Sequence, residues 1–203
     1  RAAPHSDGER GVRAHRAGVR AARGRSDPLG RIGRVLPALD RPGPPPIVRS
    51  IDIGVVRLCE RLLHHDPPTD DEVCQAREWV ARETKAAVAC MVNYQAATFV
   101  GTAGTITSLA AMAQKLPTYE PARIHNYKLQ LSAIQELEQT LLSRKKSDRT
   151  GLPGLEKGRE EVIAAGAIII RTIMETLGVS ECLVSDLGLR EGVLLDLSMR
   201  THE

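Results

Sequence analysis

Aromatic side chains are almost missing from this chain, with one Trp, one Phe and three Tyr among 203 residues. Its core must therefore be built from Val, Ile, Leu and Ala, with few large anchors. The same shortage leaves little on which nucleic-acid bases could stack, and no base-reading motif is present, so a nucleic-acid partner is not expected. No run approaches the ~18 consecutive apolar residues that a membrane-spanning helix needs. The nearest candidate, Val162 to Leu177, is interrupted by Arg171, Thr172 and Glu175, so no membrane association is expected. The arginine-rich N-terminus lacks the apolar segment of a secretion signal, and the expected location is cytoplasmic. Cysteine is scarce too. Cys59, Cys74, Cys90 and Cys182 stand far apart with no C-x-x-C pair, which favours free thiols and argues against a structural zinc site.

What is present divides sharply by charge. The net charge is +3, yet residues 1–49 hold eleven Arg against four acids, a local +7. The remainder carries seventeen basic and twenty-one acidic residues, a net −4. Residues 1–46 are rich in Arg, Gly, Ala and Pro and end in Arg41-Pro42-Gly43-Pro44-Pro45-Pro46. They read either as a basic arm for polyanions or as a disordered, non-native segment, and the absence of periodicity favours the second. Residues 47–203 are expected to form one domain.

Within that domain the texture alternates between short β-like runs and helical patterns. Ile47 to Ile53 reads as a strand, followed by a short helix ending near His64. Thr69 and Glu72 make a capping box that opens a helix to about Met91, with Trp79, Val80, Ala87, Val88 and Met91 as its buried stripe. A strand over Ala96 to Val100 precedes a helix over Ile106 to Gln114. Ile124 to Leu131 is extended, and Ser132 with Gln135 suggests a second capping box. Ser143 to Gly158 reads as a loop, and Arg159 to Leu177 as a buried helix stopped by Gly178. A strand over Glu181 to Val184 closes the series, and this order implies a largely parallel sheet with helices on both faces.

Two glycine-bearing loops stand out, Gly101-Thr102-Ala103-Gly104-Thr105 and Ser185-Asp186-Leu187-Gly188-Leu189-Arg190-Glu191-Gly192. Each follows an apolar β-like run and precedes a helical pattern, the setting in which unpaired backbone N–H groups and a helix dipole favour phosphate. Alternatively, such glycines simply let strand and helix approach closely.

Together with Ile51-Asp52-Ile53-Gly54-Val55-Val56-Arg57-Leu58 and Gly158-Arg159-Glu160-Glu161…Ala165-Gly166-Ala167, these loops resemble, in order, the exopolyphosphatase/guanosine pentaphosphate phosphohydrolase family. The resemblance covers about Ile47 to Leu197. It implies a ribonuclease-H-like lobe of the actin/Hsp70 superfamily and Mg²⁺-dependent hydrolysis of a terminal phosphoryl group from polyphosphate or pppGpp. The matching stretch corresponds to most of the second of two lobes. The catalytic base is expected in the first lobe, so no catalytic residue is assigned here. A leading hairpin like D-I-G-G-G-S-T-E is expected before Ile47 and is not found; residues 1–46 stand in its place, as a shifted reading frame or wrong gene start would produce. A homodimer is one assembly this reading allows.

The phosphate-binding candidates are Gly101, Thr102, Gly104, Thr105, Arg159, Gly188 and Arg190. Arg159 matches a phosphate-binding arginine of the family, and its place before a helix N-terminus, where the dipole does not favour a cation, suits that role. Arg190 either offers a fork to phosphate or pairs with Glu191 to hold its turn. Asp52, Asp186 and Glu191 are candidates for facing the cleft. Lys145, Lys146 and Arg149 read as a solvated loop, and His64-His65-Asp66 as surface residues. No metal ligand is assigned.

Overall fold

The computed structural model describes residues 50–89 and 98–200; the basic segment 1–46 therefore lies outside the described residues. Ser50 to Gly54 are not a strand but an extended lead into α1 (Val55–Leu62). Residues 47–49 of the expected strand fall outside the described range. Helix α2 (Asp70–Val88) begins as its sequence dictates. Thr69 Oγ1 accepts from the Glu72 N–H at 3.3 Å, and Glu72 Oε2 accepts from the Thr69 N–H at 2.9 Å. Its buried stripe is Val73, Ala76, Val80 and Thr84. Trp79 is only half-buried, with the Arg61 guanidinium over its ring 5.8 Å from the centre. Ala87 and Val88 are likewise half-buried, and Met91 lies outside the described residues.

Strand β1 (Val100–Thr102) starts where the expected strand ends and runs into the first glycine loop. Then follow α3 (Gly104–Ala113), the single turn α4 (Pro121–Ile124), β2 (Lys128–Gln130) and α5 (Leu131–Leu142). The second capping box is not formed. Helix α5 starts one residue before Ser132, with Gln130 at its N-cap and no side-chain cap. Lys146–Arg149 make a 3-10 turn in the expected loop. Helix α6 (Ile163–Leu177) begins four residues after Arg159, and Gly178 at φ 66° ends it in the left-handed conformation that suits glycine. Strand β3 (Glu181–Ser185) and helix α7 (Leu189–Arg200) complete the described chain.

Helix α6 is the centre of the fold. Ile163 to Ile170 are all buried, as are Thr172, Ile173 and Met174. One side of α6 packs into a cluster with Leu109 and Met112 of α3, Ile134 and Leu141 of α5, and Leu129, Cys182 and Val184 of the strands. The other packs Ala165, Ile168 and Ile169 against Ile53, Leu58, Val73 and Val80. A core so poor in aromatic rings is possible because α6 is wrapped on both sides by aliphatic stripes.

The sheet corrects the expectation of a largely parallel one. Its order is β1-β3-β2, with β1 parallel to β3 and β2 antiparallel to β3. Burial alternates along β3, with Cys182 and Val184 buried and Glu181, Leu183 and Ser185 half-buried. Only one face of this small sheet is therefore sealed by the described helices, not both.

Candidate phosphate site

Parallel pairing decides where the two glycine loops go. Thr102 is in register with Ser185, so both strands deliver their loops at the same end, side by side. Two hydroxyls fasten them together. Thr102 Oγ1 donates to the Leu187 carbonyl at 3.1 Å, and Ser185 Oγ donates to the same carbonyl at 3.0 Å.

The first loop turns on Ala103, whose φ of 80° is unusual for a residue bearing Cβ. This turn aims the start of α3 outward, and the N–H groups of Gly104 and Thr105 have no acceptor within the helix. Gly104 is glycine for a visible reason. A Cβ there would overlap the guanidinium of Arg159, lying 2.7 Å from its Cζ. Arg159 thus rests on the open N-terminal turn of α3. Its Nε donates to Glu156 Oε2 at 2.7 Å, and among the described residues the outer nitrogens of the fork make no other side-chain bond.

The other loop residues separate by what they touch. Gly101 pairs with Val184, and a Cβ there would lie 2.8 Å from both Cys182 Sγ and Ile106 Cγ1. Its glycine is explained by packing. Thr105 turns its methyl onto Gly166 of α6, in a contact so close that α6 needs a glycine at that position. Gly188 donates its N–H to Glu191 Oε2 at 2.7 Å, which caps α7 and holds the Glu191 carboxyl below its ordinary value. Arg190 is 92% exposed and stands 4.0 Å from Glu191, so no tight pair holds it. Asp186 accepts from the Tyr119 hydroxyl; burial and then this carboxylate push the Tyr119 phenol up. Asp52 is not part of this group. It pairs with Arg57 at the start of α1 and makes no hydrogen bond or ion pair to either loop among the described residues.

Tyr119 and Glu156 are site residues that sequence reasoning missed. Both come from loops of unremarkable composition and reach the site only through the tertiary fold. They also line a cavity of about 510 Å³ beside it, with Pro117, Leu152 and Leu155 among the other walls. A larger hollow of about 940 Å³ lies between α2 and α5 and includes none of these loop residues. Arg149 corrects the expected solvated loop. It is 1% exposed, and its guanidinium donates to the carbonyls of Leu141, Glu160 and Arg144 at 3.1, 2.9 and 3.0 Å. Lys145 and Lys146 are exposed as expected. His64 and His65 serve α2, since Glu72 Oε1 accepts from both their backbone N–H groups at 2.9 and 3.2 Å.

Among the described residues no three His, Cys, Asp or Glu side chains converge as a metal site. Asp186 and Glu191 of the second loop and Glu156 beside Arg159 each already accept from a protein donor. The residues in hand do not build a magnesium cage of their own. What they assemble is a donor-rich corner: an open helix start, a guanidinium lying over it, and a second loop tied alongside. No helix among the described residues is long and apolar enough to cross a membrane.

Comparison with known proteins matches residues 43–201 to the model of the Ppx/GppA phosphatase family. Exopolyphosphatase 2 of Mycobacterium tuberculosis is 37% identical over 153 residues, covering 73% of this chain and 48% of that protein. Exopolyphosphatase 1 of Mycobacterium leprae is 28% identical, over 74% of this chain and 44% of that protein. The crystal structure of the Aquifex aeolicus Ppx/GppA family member superposes with a TM-score of 0.71 at 32% identity, covering 78% of this chain and 50% of that one. The chain thus spans about half the length of the relatives it matches.

Proposed function

Because this chain belongs to the Ppx/GppA phosphatase family, we propose that it supplies the phosphate-holding half of an exopolyphosphatase-type site. The substrate is the terminal phosphoanhydride of inorganic polyphosphate, the polymer in the names of its relatives, with pppGpp the other substrate of the resemblance. Hydrolysis of such a bond spreads negative charge over the phosphoryl oxygens, and donors fixed in advance stabilise it without reorganising. The N–H groups that open α3 and the Arg159 guanidinium are those donors. Gly188 and Arg190 approach from the second loop, while Gly101 and Thr105 shape the corner by packing. Magnesium, carried over from the resemblance as the cofactor of the complete enzyme, would neutralise charge on the substrate's own oxygens. The lobe is read as ribonuclease-H-like on the same grounds.

One observation carries this reading. Two loops 80 residues apart in sequence are brought together at the carboxyl ends of parallel strands, with an arginine lying across one of them. Titration of labelled polyphosphate against the full chain tests it. Arg159→Ala should weaken binding at least tenfold and Arg159→Lys should recover only part, since a point charge does not replace a planar fork. Unchanged affinity in Arg159→Ala would refute the assignment. A second reading, a phosphate-binding module without turnover, is favoured by the engagement of Asp186, Glu191 and Glu156 by protein donors. Phosphate release in the presence of magnesium separates the two.

A further inference from the structure

The shared Leu187 carbonyl is not the only tie between the two glycine loops. Tyr119 makes a second one. Its hydroxyl donates to Asp186, the residue that follows β3 in the second loop, and also interacts with Thr107 in the first turn of α3. Thr107 is 4% exposed, and its Oγ1 donates to the Gly104 carbonyl at 3.2 Å. A chain of polar contacts therefore runs from Asp186 through Tyr119 and Thr107 to Gly104. It joins the second loop to the residue against which the Arg159 guanidinium rests.

A residue that positions others must itself be held. Tyr119 lies in the segment 114–120 between α3 and α4, and that segment is fixed at its root. Lys115, at φ 50°, turns the chain sharply. Its N–H donates to the Met112 carbonyl at 2.9 Å, and the Leu116 N–H donates to the Ala111 carbonyl at 3.0 Å. Leu116 is fully buried in the core cluster around α3. The Gln114 carboxamide donates to the Ala110 and Arg123 carbonyls at 3.2 and 3.1 Å, which pins α3 to α4 across the segment. The Tyr119 ring is 37% exposed and lines the neighbouring cavity with Pro117 and Leu155. A ring fills that wall with or without a hydroxyl. Only the hydroxyl reaches Asp186, so the tie is what tyrosine adds over phenylalanine.

We infer that Tyr119 is a positioning residue of the phosphate corner: through Asp186 its hydroxyl holds the turn that carries Gly188 and Arg190 at a set distance from the open start of α3. The inference rests on the phosphate reading above. Arg190 is the reason the distance matters. No tight partner fixes its side chain, so the backbone of its own turn must place it. Asp186 stands four residues before it and Leu187 three, and each is tied to a different part of the first loop's helix and strand. Released at Asp186, the turn pivots about the Leu187 carbonyl, and Arg190 at its far end moves most. Donors act on a phosphoryl group in full only when they are in place beforehand.

The test is titration of end-labelled polyphosphate against the full chain, with thermal melting read alongside. Tyr119→Phe keeps the ring and should melt with the unaltered chain, yet bind roughly tenfold more weakly, on the scale of one lost charge-assisted hydrogen bond. Asp186→Asn keeps an oxygen that accepts from the phenol and should bind no worse than the unaltered chain, which separates geometry from charge. In an Asp186→Ala background Tyr119→Phe has nothing left to release and should add no further loss. In an Arg190→Ala background it should likewise cost little, whereas a purely structural tyrosine would cost as much there as in the unaltered chain. Unchanged affinity in Tyr119→Phe, or its full cost in either background, overturns the inference. If Tyr119→Phe melts early, the comparison of Asp186→Ala with Asp186→Asn decides, and equal affinity of the two overturns it. Arg159→Ala is titrated separately: its failure to weaken binding sinks the phosphate reading itself, whereas a loss there beside an unaffected Tyr119→Phe sinks only the positioning role.

Discussion

Replacing Gly104 by alanine tests the phosphate corner without removing any of its charged groups. The added methyl would occupy the place where the Arg159 guanidinium now rests. What it meets is the far end of a flexible side chain, so the arginine can swing aside and the fold survives. Alanine is also the better helix former by roughly 0.8–1 kcal/mol at an interior position, and Gly104 opens α3. The net change in stability should therefore stay within about 1 kcal/mol. Binding is another matter. A charge-assisted hydrogen bond contributes about 1.5–3 kcal/mol, so displacing the guanidinium should weaken polyphosphate by roughly 10- to 100-fold, at 1.4 kcal/mol per tenfold. Fluorescence polarisation with end-labelled polyphosphate at fixed ionic strength reads this directly, salt being held constant because it screens the polyanion. The decisive arm is the double variant. If Gly104→Ala acts only by moving Arg159, then Gly104→Ala/Arg159→Ala binds no worse than Arg159→Ala alone. Additive losses, or full affinity in Gly104→Ala, would refute the reasoning.

Other predictions concern the frame that holds the corner. Burial raises the Glu72 pKa, but bonds from His65 and from the Thr69, His64 and His65 N–H groups outweigh it and bring it down to about 2. A folded value below the unfolded one gives stability that is present above about pH 4.5 and is lost as pH falls towards 2, so Glu72→Gln should flatten the acid limb of a urea-denaturation series. Glu138 is fully buried between Arg77 and Arg171. Glu138→Ala removes the carboxylate that Arg77 pairs with and leaves Arg171 with Glu175 alone, and should cost about 1.5–3 kcal/mol in chemical denaturation, with polyphosphate affinity of the folded fraction unchanged. Arg149→Lys should behave like a deletion, because one ammonium cannot serve carbonyls on three sides; a loss of less than about 1 kcal/mol would contradict the network. Gly166→Ala pushes a methyl into Thr105 and should destabilise by about 1–3 kcal/mol, visible as a lowered Tm.

Local signals were legible wherever their cause was local. The T-x-x-E spacing gave the start of α2 because both halves of that capping box lie within one turn. Gly178 gave the end of α6 for a similar reason. Ser132 and Gln135 show the same spacing, yet α5 begins at Leu131. The Leu131 N–H donates to the Ser180 carbonyl at 2.8 Å, so the neighbouring chain, not a side-chain cap, sets the helix start. Both glycine loops were visible, but not what each glycine does, because Gly101 answers to Cys182 and Ile106 and Gly104 to Arg159, all distant in sequence or outside the motif. Arg149 looked like one cation among Lys145 and Lys146, since nothing in a sequence tells which of three basic residues will find carbonyls from two other segments. Tyr119 and Glu156 carried no signal at all. They matter through Asp186 and Arg159, contacts that exist only after folding.

The direction of one strand pair explains why such a small sheet can build a site. A loop leaves a strand at its carboxyl end, and two parallel neighbours put those ends together, which is where open α/β sheets hold ligands. β1 and β3 are parallel, so the turn into α3 and the turn into α7 emerge as neighbours, and a single carbonyl on Leu187 can bind a hydroxyl from each strand. β2 runs the other way, and its carboxyl end, Gln130, enters α5 at the opposite edge, taking no part in the corner. Had β1 and β3 paired antiparallel with the same residues, the loops would stand at opposite ends of the sheet, and Gly188 and Arg190 would not share a corner with Arg159. Strand polarity, set by the crossover through α3, α5 and α6, is thus the feature on which the phosphate assignment turns. A substitution that breaks the knot without touching charge, Thr102→Val, isolates it: the Leu187 carbonyl loses one of its two hydroxyl donors, the loops part, and polyphosphate affinity should fall severalfold while the Arg159–Glu156 pair stays in place.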